Sequence, residues 1–243
     1  MASGTALRIG TLYSGIGGSD LGFERAGAVI AFQAEIDQWR LRVLAQRFPR
    51  ARQWWSAYAA LAEEAPVDLL YASPPSRDPQ WLEPLWERAA KFRSRTLVIE
   101  GPVGASGVET RRAACERIGY DFTTVGISAE WAVPWGTFGR SVTFTVCWPH
   151  EDACPLRYHA EPGLTFAEPD GAPPQSIHEW VEASFGFPAG WACVCGATDP
   201  GLCADSTMRL VAVNECCPPA LTHCLASRLV LATAAPALVG EGG

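Results

Sequence analysis

The chain has 243 residues, of which 48% are hydrophobic, and its formal net charge is −7. This length allows one large domain, with or without a small lobe, and no apolar run is long enough to span a bilayer. Residues 1–10 do not resemble a signal peptide, so we expect a cytoplasmic protein whose nine cysteines are reduced thiols or metal ligands. The acidic balance does not favour a nucleic-acid binder, and the arginines of residues 40–52 are more typical of solvated helix faces.

Strand-like and helix-like segments alternate along residues 7–127. This alternation predicts a mostly parallel sheet with helices on both faces. The predicted strands are residues 7–13, 28–34, 67–71, 96–99, 121–127 and 141–148. The predicted helices are residues 20–26, 38–48, 79–93, 109–118 and 220–231.

Residues 149–175 contain several prolines and show no clear period, which indicates a linker or a small irregular lobe. We therefore expect a core over residues 1–148, an irregular lobe over residues 149–205 and a C-terminal segment, residues 206–243, that packs back on the core.

A glycine-rich turn follows the first predicted strand, and a helix begins after it at Ser19 and Asp20. Such a turn brings backbone N–H groups close to a ligand. Glu35 directly follows the second predicted strand, where a carboxylate can accept hydrogen bonds from both ribose hydroxyls of a nucleoside. The pattern predicts a nucleoside-cofactor site, and its alternative is an ordinary strand–turn–helix unit.

Residues 11–27, followed by Glu35-Ile36-Asp37, resemble the S-adenosylmethionine motif of the cytosine-C5 DNA methyltransferases. Four later segments resemble further motifs of that family, in the family's order. They are residues 68–76 for the catalytic Pro-Cys loop, 97–100 for the strand ending in Glu-Asn-Val, 176–188 for the penultimate motif and 213–219 for the final one. The resemblance implies a doubly wound, Rossmann-like α/β fold of the S-adenosylmethionine-dependent methyltransferase type, with a small irregular C-terminal lobe.

The resemblance also implies that S-adenosylmethionine is the cofactor. Glu35 would bind its ribose, and Ile36 would pack on its adenine. The other cofactor-binding residues that the resemblance implies are Tyr13, Ser14, Gly15, Gly17, Gly18, Pro74 and Asn214.

The substrate side departs from the family. In the family, a Cys thiolate adds to C6 of cytosine and a Glu stabilises the ring at N3. Here Ser76 takes the place of the Cys, and a hydroxyl is a weaker nucleophile unless a base activates it. Glu100 keeps the family's glutamate, whereas Gly101 replaces the Asn that follows it. Arg140 is retained from a Gln-x-Arg-x-Arg motif in which Val142 replaces the second Arg.

Three interpretations of these departures stay open. In the first, Ser76 is an engineered replacement of a Cys. In the second, the protein is a natural S-adenosylmethionine binder that has lost cytosine methylation and acts as a partner or regulator. In the third, it is an enzyme with an altered substrate, such as a small molecule.

The family resemblance implies methyl transfer to a pyrimidine C5 in DNA. Because residues 149–175 leave little room for target recognition, we expect a partner subunit to supply it if DNA is the substrate.

A cysteine-rich stretch has the spacing Cys-x-Cys-x7-Cys. Its weak candidates for a tetrahedral zinc site are Cys193, Cys195, Cys203 and Cys216. Cysteine is also a common small buried side chain, and we expect no metal.

Overall fold

The computed structural model describes residues 6–74, 82–102, 112–128, 141–156, 177–188, 190–193 and 206–233, and every structural statement below concerns these residues. The strands are β1 (Arg8–Leu12), β2 (Val29–Ala34), β3 (Arg52–Trp54), β4 (Leu69–Ala72), β5 (Thr96–Pro102), β6 (Tyr120–Ser128) and β7 (Ser141–Pro149). The helices are α1 (Gly18–Arg25), α2 (Gln38–Arg47), α3 (Ala57–Glu63), α4 (Leu82–Phe92), α5 (112–117), α6 (Ile177–Ser184), α7 (Ser206–Glu215) and α8 (Pro219–Thr233).

The seven strands form one sheet in the order β3-β2-β1-β4-β5-β7-β6. Strands β1 to β5 are parallel, and β7 runs antiparallel to both β5 and β6. The strand order reverses between β1 and β4. In open α/β sheets, ligands bind at the carboxyl ends of the strands beside such a reversal.

Helices cover both faces of the sheet, as predicted. One apolar cluster joins the sheet to α1, α2 and α8, and the other joins it to α3, α4 and α5. All four residues of β4 are buried, which is typical of a central parallel strand covered on both sides. None of the described helices is long and apolar enough to cross a membrane.

Side-chain caps fix where two helices on the strand-end side begin. The Asp37 side chain accepts a hydrogen bond from Arg40 N (2.9 Å) at the start of α2, and Ser56 accepts one from Tyr58 N (3.2 Å) at the start of α3. Each cap pairs one of the N–H groups that have no partner inside the helix.

The six predicted strands are present, but the prediction omitted β3, α3, α6 and α7. Strand β3 has only three residues at the edge of the sheet, too few to show an alternating pattern. Strand β5 extends three residues beyond its predicted end because residues 100–102 pair with β7 after the parallel ladder with β4 ends at Ile99.

Candidate functional site

The loop after β1 has a strained backbone. Tyr13 has φ 58°, Gly15 has φ 59° and Gly17 has φ 84°. Positive φ is uncommon for a bulky residue such as tyrosine, and strain of this kind concentrates at ligand-binding sites. The loop is held to the sheet by Ser14 N, which donates to Ala34 O at the end of β2 (3.0 Å).

At two glycines of this loop, neighbouring atoms leave no room for a Cβ. A Cβ on Gly17 would lie 2.4 Å from the ring of Phe48, and a Cβ on Gly18 would lie 2.3 Å from the carbonyl oxygen of Cys217. The latter contact is with backbone and cannot be relieved by a side-chain rotation. The loop is therefore pressed between the end of α2 and the segment that joins α7 to α8.

Glu35 lies beside the glycine loop, at the carboxyl end of β2, and its side chain is buried (7% exposed). Its Oε2 accepts from Gly15 N (2.8 Å), and its Oε1 accepts from Ile36 N (2.8 Å) and Asp37 N (3.0 Å). These three N–H groups fix the orientation of the carboxylate. Since a carboxylate has about four acceptor positions, it can still accept a ligand hydroxyl.

An apolar surface adjoins Glu35. Ile36 is 81% exposed and Trp55 is 70% exposed, and the two follow the neighbouring strands β2 and β3. Glu35 N donates to Trp54 O (3.0 Å), which holds these strand ends together. Single exposed apolar side chains are ordinary, but two at adjacent strand ends offer a surface for a flat ring.

Tyr13, at the start of the loop, packs against the apolar cluster that joins the sheet to α3, α4 and α5. Burial, together with the neighbouring Tyr58, raises the pKa of Tyr13 to about 12. Tyr13 therefore contributes a neutral, partly buried aromatic ring at the start of the loop.

The segment resembling the final motif contacts the glycine loop. Ile16 N donates to Cys216 Sγ (3.4 Å), and Arg40 in α2 forms an ion pair with Glu215 (2.5 Å). Asn214 lies in the last turn of α7, two residues before Cys216.

On the substrate side, Glu100 is the first residue of β5 beyond its parallel ladder with β4. It is nearly buried, and the Tyr71 hydroxyl donates to its Oε2 (2.5 Å). Burial and this carboxylate raise the pKa of Tyr71 well above its usual value. Pro74 follows β4, beside Ser73, whose N donates to Leu12 O (3.1 Å).

The structure thus brings the predicted residues of the loop, Glu35, Ile36, Pro74 and Glu100 to the carboxyl ends of adjacent parallel strands. Ser76 and Arg140 lie outside the described residues.

A buried polar cluster lies beneath the loop. Thr11 Oγ1 donates to Asp20 Oδ1 (2.7 Å) and lies 2.8 Å from Ser14 Oγ. Asp20 is completely buried in the first turn of α1, and this burial raises the pKa of Asp20 to about 6. The cluster joins β1, the loop and α1 into one unit.

The segment after α6 supports the loop from outside. Trp191 Nε1 donates to Ile16 O (2.8 Å), and its ring lies edge-on to Phe48, with centroids 5.7 Å apart. Buried Glu182 accepts from Trp191 N (3.2 Å), Ala192 N (2.9 Å) and Arg209 Nη2 (2.9 Å).

Two arginines that we expected on solvated helix faces are instead used for these contacts. Arg47 donates to the carbonyl oxygens of Gly190, Trp191 and Cys193, and Arg40 pairs with Glu215. The expectation was wrong for these two because α2 faces the C-terminal segments, which a helical pattern alone does not reveal.

A cavity of about 150 Å³ lies between α2 and α7. Its lining residues are Asp37, Trp39, Arg40, Met208 and Val211. It is smaller than ligand pockets of about 300–1,000 Å³, so we do not assign a whole nucleoside cofactor to it.

Of the weak metal candidates, Cys195 and Cys203 lie outside the described residues. Burial raises the pKa of the Cys216 thiol to about 11, which opposes the thiolate form that a metal needs. Across the described ranges, no group of three or more His, Cys, Asp or Glu side chains is arranged to hold a metal ion.

Comparison with known proteins identifies relatives of part of the chain and of its fold. The model of the C-5 cytosine-specific DNA methylases matches residues 7–78. No curated protein matches the chain by sequence.

Solved structures resemble all or part of the fold. Dnmt2 methyltransferase of S. pombe has a TM-score of 0.64 at 12% identity, over 93% of this chain and 99% of that one. The Entamoeba histolytica methyltransferase EhMeth has a TM-score of 0.58 at 12% identity, over 93% and 98%. A proposed DNA modification methyltransferase encoded within an E. coli prophage has a TM-score of 0.51 at 20% identity, over 59% of this chain and only 47% of that one.

Proposed function

Since residues 7–78 make this chain a relative of the C-5 cytosine-specific DNA methylases, we propose that it binds S-adenosylmethionine at the glycine loop and transfers the cofactor's methyl group to a pyrimidine C5 in DNA. The observation that carries the cofactor proposal is Glu35. Three backbone N–H groups orient its carboxylate beside a loop of strained backbone, and the remaining acceptor position fits a ribose hydroxyl.

The other cofactor contacts follow from the same geometry. Ile36 and Trp55 would pack against the adenine ring, and the Tyr13 ring would lie nearby. Ser14, Gly15, Gly17 and Gly18 would surround the remainder of the cofactor, together with Pro74 and Asn214. When bound, S-adenosylmethionine supplies an electrophilic methyl group on a sulfonium.

Glu100 is the residue that supports a role for this chain in base methylation. It keeps the position of the family's glutamate, and the Tyr71 O–H that donates to its Oε2 fixes the orientation of the carboxylate. An ionised carboxylate can stabilise a protonated ring nitrogen. Arg140 and Ser76 would complete the substrate side.

The missing thiolate favours one alternative: an S-adenosylmethionine-binding partner or regulator that does not methylate cytosine. Cys216 does not replace the lost nucleophile, because its Sγ is buried against Ile16 N and its pKa is raised to about 11. For either role we propose that a partner subunit supplies recognition of the DNA sequence.

Two measurements on the purified full chain test this function. Calorimetric titration with S-adenosylhomocysteine tests the cofactor site, and a labelled-methyl assay on duplex DNA, RNA and free nucleosides tests the acceptor. Binding with methyl transfer to DNA cytosine supports the enzyme. Binding with no transfer to any acceptor supports the regulatory role, and absence of binding rejects both.

A further inference from the structure

Two cysteine side chains meet inside the protein, away from the site described above. Cys115 in α5 and Cys147 in β7 have their Sγ atoms 3.2 Å apart, and both residues are 0% exposed. Cys147 pairs with Leu97 in the β5–β7 ladder, and all three residues belong to the apolar cluster under α3, α4 and α5.

Glu100 lies on the opposite face of the sheet. Successive residues of a strand point to opposite faces, and Leu97 and Ile99 belong to the cluster that contains both cysteines. Glu100 instead bonds Tyr71, which belongs to the other cluster. The cysteine pair therefore belongs to neither the cofactor site nor the substrate side.

The two sulfur atoms lie only slightly farther apart than the sulfurs of a disulfide. A disulfide needs an S–S distance of about 2.05 Å, so each sulfur must move by roughly 0.6 Å from the observed separation. Thermal displacements of ordered protein atoms are of similar size, about 0.5 Å along each axis. Two thiols held this close can react with each other once one of them is oxidised.

We propose that Cys115 and Cys147 form a reversible disulfide when the protein meets a peroxide. Because both thiols are buried, the step takes place when a local opening of α5 admits the peroxide. One thiol then loses its proton, its thiolate attacks a peroxide oxygen, the O–O bond breaks, and a sulfenic acid forms as the leaving hydroxide takes up a proton to become water. The second thiol then attacks the sulfenic sulfur, the S–O bond breaks, and a second water leaves. Two thiols and one hydrogen peroxide give one disulfide and two waters, and a dithiol reductant reverses the bond.

The bond has a predictable physical effect. It joins positions 32 residues apart and would enclose β6 in a closed loop, which restricts the unfolded chain. The thermal midpoint should rise by on the order of 5–10 °C. Affinity for S-adenosylhomocysteine should stay unchanged, since the bond lies on the other face of the sheet.

The sequence makes the bond straightforward to detect. Trypsin releases Cys115 in the peptide of residues 113–117, but it leaves Cys147 and the exposed Cys154 together in residues 141–157. A second protease that cleaves after Glu151 separates these two cysteines.

The test treats the full chain with hydrogen peroxide or with dithiothreitol, alkylates the remaining thiols and maps the peptides without reduction. We expect a peptide pair that links Cys115 to Cys147, reversal by dithiothreitol, and a higher thermal midpoint. The Cys154→Ser variant should keep the link, whereas Cys115→Ala and Cys147→Ala should lose both the link and the midpoint shift.

Three results would overturn the proposal. They are oxidation of Cys154 with no Cys115–Cys147 link in the native wild-type chain, a link that appears only in denaturant, and a link to another cysteine in place of this pair. Because the decisive readout is made on the wild-type chain, a variant that fails to fold leaves the test intact.

Discussion

The hydroxyl of Tyr71 in β4 donates a hydrogen bond to the Glu100 carboxylate in β5, with an oxygen–oxygen distance of 2.5 Å. Both residues are nearly or fully buried, so water does not readily replace this donor. The contact places the glutamate that the family resemblance marks as catalytic beside the strand that leads to Pro74. Tyr71 is thus a positioning residue for Glu100.

Tyr71→Phe removes this donor while keeping the ring that contacts Phe23 edge-on. We expect the free energy of unfolding to fall by about 1.5–3 kcal/mol, since hydrogen bonds to charged groups contribute about that much. Urea unfolding measures the change. Tyr120→Phe is the matched control, because the buried Tyr120 hydroxyl donates to a neutral carbonyl, Ser94 O (3.0 Å), and its loss should cost about 0.5–1.5 kcal/mol. Equal costs for the two variants would show that the hydrogen bond from Tyr71 to Glu100 is no stronger than one to a neutral carbonyl.

Tyr71 also shows what a local sequence pattern does not predict. It lies in a short run of apolar residues, Leu69–Ala72, which correctly predicts a buried strand. Nothing in that run indicates that its hydroxyl finds Glu100, because the contact depends on how β4 and β5 pair across 29 residues of sequence. Local patterns predict elements, whereas partners between elements depend on register and topology.

The same limit applies to the proposed cofactor site. Glu35 was predicted because a carboxylate directly after a strand is a local signal. Trp55 was missed because β3 was too short to recognise, so its place at a strand end was not apparent. Trp191 was missed because its contact with Ile16 joins segments 175 residues apart.

Glu35→Ala should weaken S-adenosylhomocysteine binding by about 1–3 kcal/mol, or roughly 5- to 150-fold, because a charge-assisted hydrogen bond to the ribose is lost. The variant also leaves Gly15 N, Ile36 N and Asp37 N without their shared acceptor. Calorimetry measures the affinity, and circular dichroism confirms that the fold is kept.

Glu63→Ala is the control for this measurement. Glu63 is an exposed glutamate in α3, away from the glycine loop, so its removal should leave the affinity unchanged. An affinity that survives Glu35→Ala would show that Glu35 does not bind the ribose.

The regulatory alternative, in which the wild-type chain does not methylate DNA cytosine, predicts that Ser76→Cys alone does not restore this activity. The substitution returns a thiol, but two further substrate-side positions also differ from the family. Gly101 replaces an Asn and pairs with Thr143 in the β5–β7 ladder, and Val142, which replaces an Arg, is buried there. Losses of positioning and of the nucleophile do not substitute for each other.

The Ser76→Cys assay uses DNA that contains a mechanism-based cytosine analogue, which traps a covalent adduct with an active thiolate. We expect no adduct from Ser76→Cys by itself. An adduct together with methyl transfer would show that Ser76 is the only defect.

Asp20→Asn should stabilise the protein at neutral pH. Burial raises the pKa of Asp20 from its ordinary 3.8 to about 6 in the folded state. Between these values the folded state binds more protons than the unfolded state, so this carboxyl's contribution to stability is complete below pH 4 and is lost as the pH rises through about 6. A shift of about two pKa units corresponds to about 3 kcal/mol. This is an upper bound because the carboxylate also interacts favourably with the N-terminus of α1.

The free energies of unfolding of wild type and Asp20→Asn should therefore diverge from pH 4 to pH 6 and run parallel above that range. Urea unfolding at a series of pH values measures both. Carbon-13 NMR of labelled aspartate side chains would follow the same titration directly. A difference between the two proteins that does not change with pH would show that folding does not raise the pKa of Asp20.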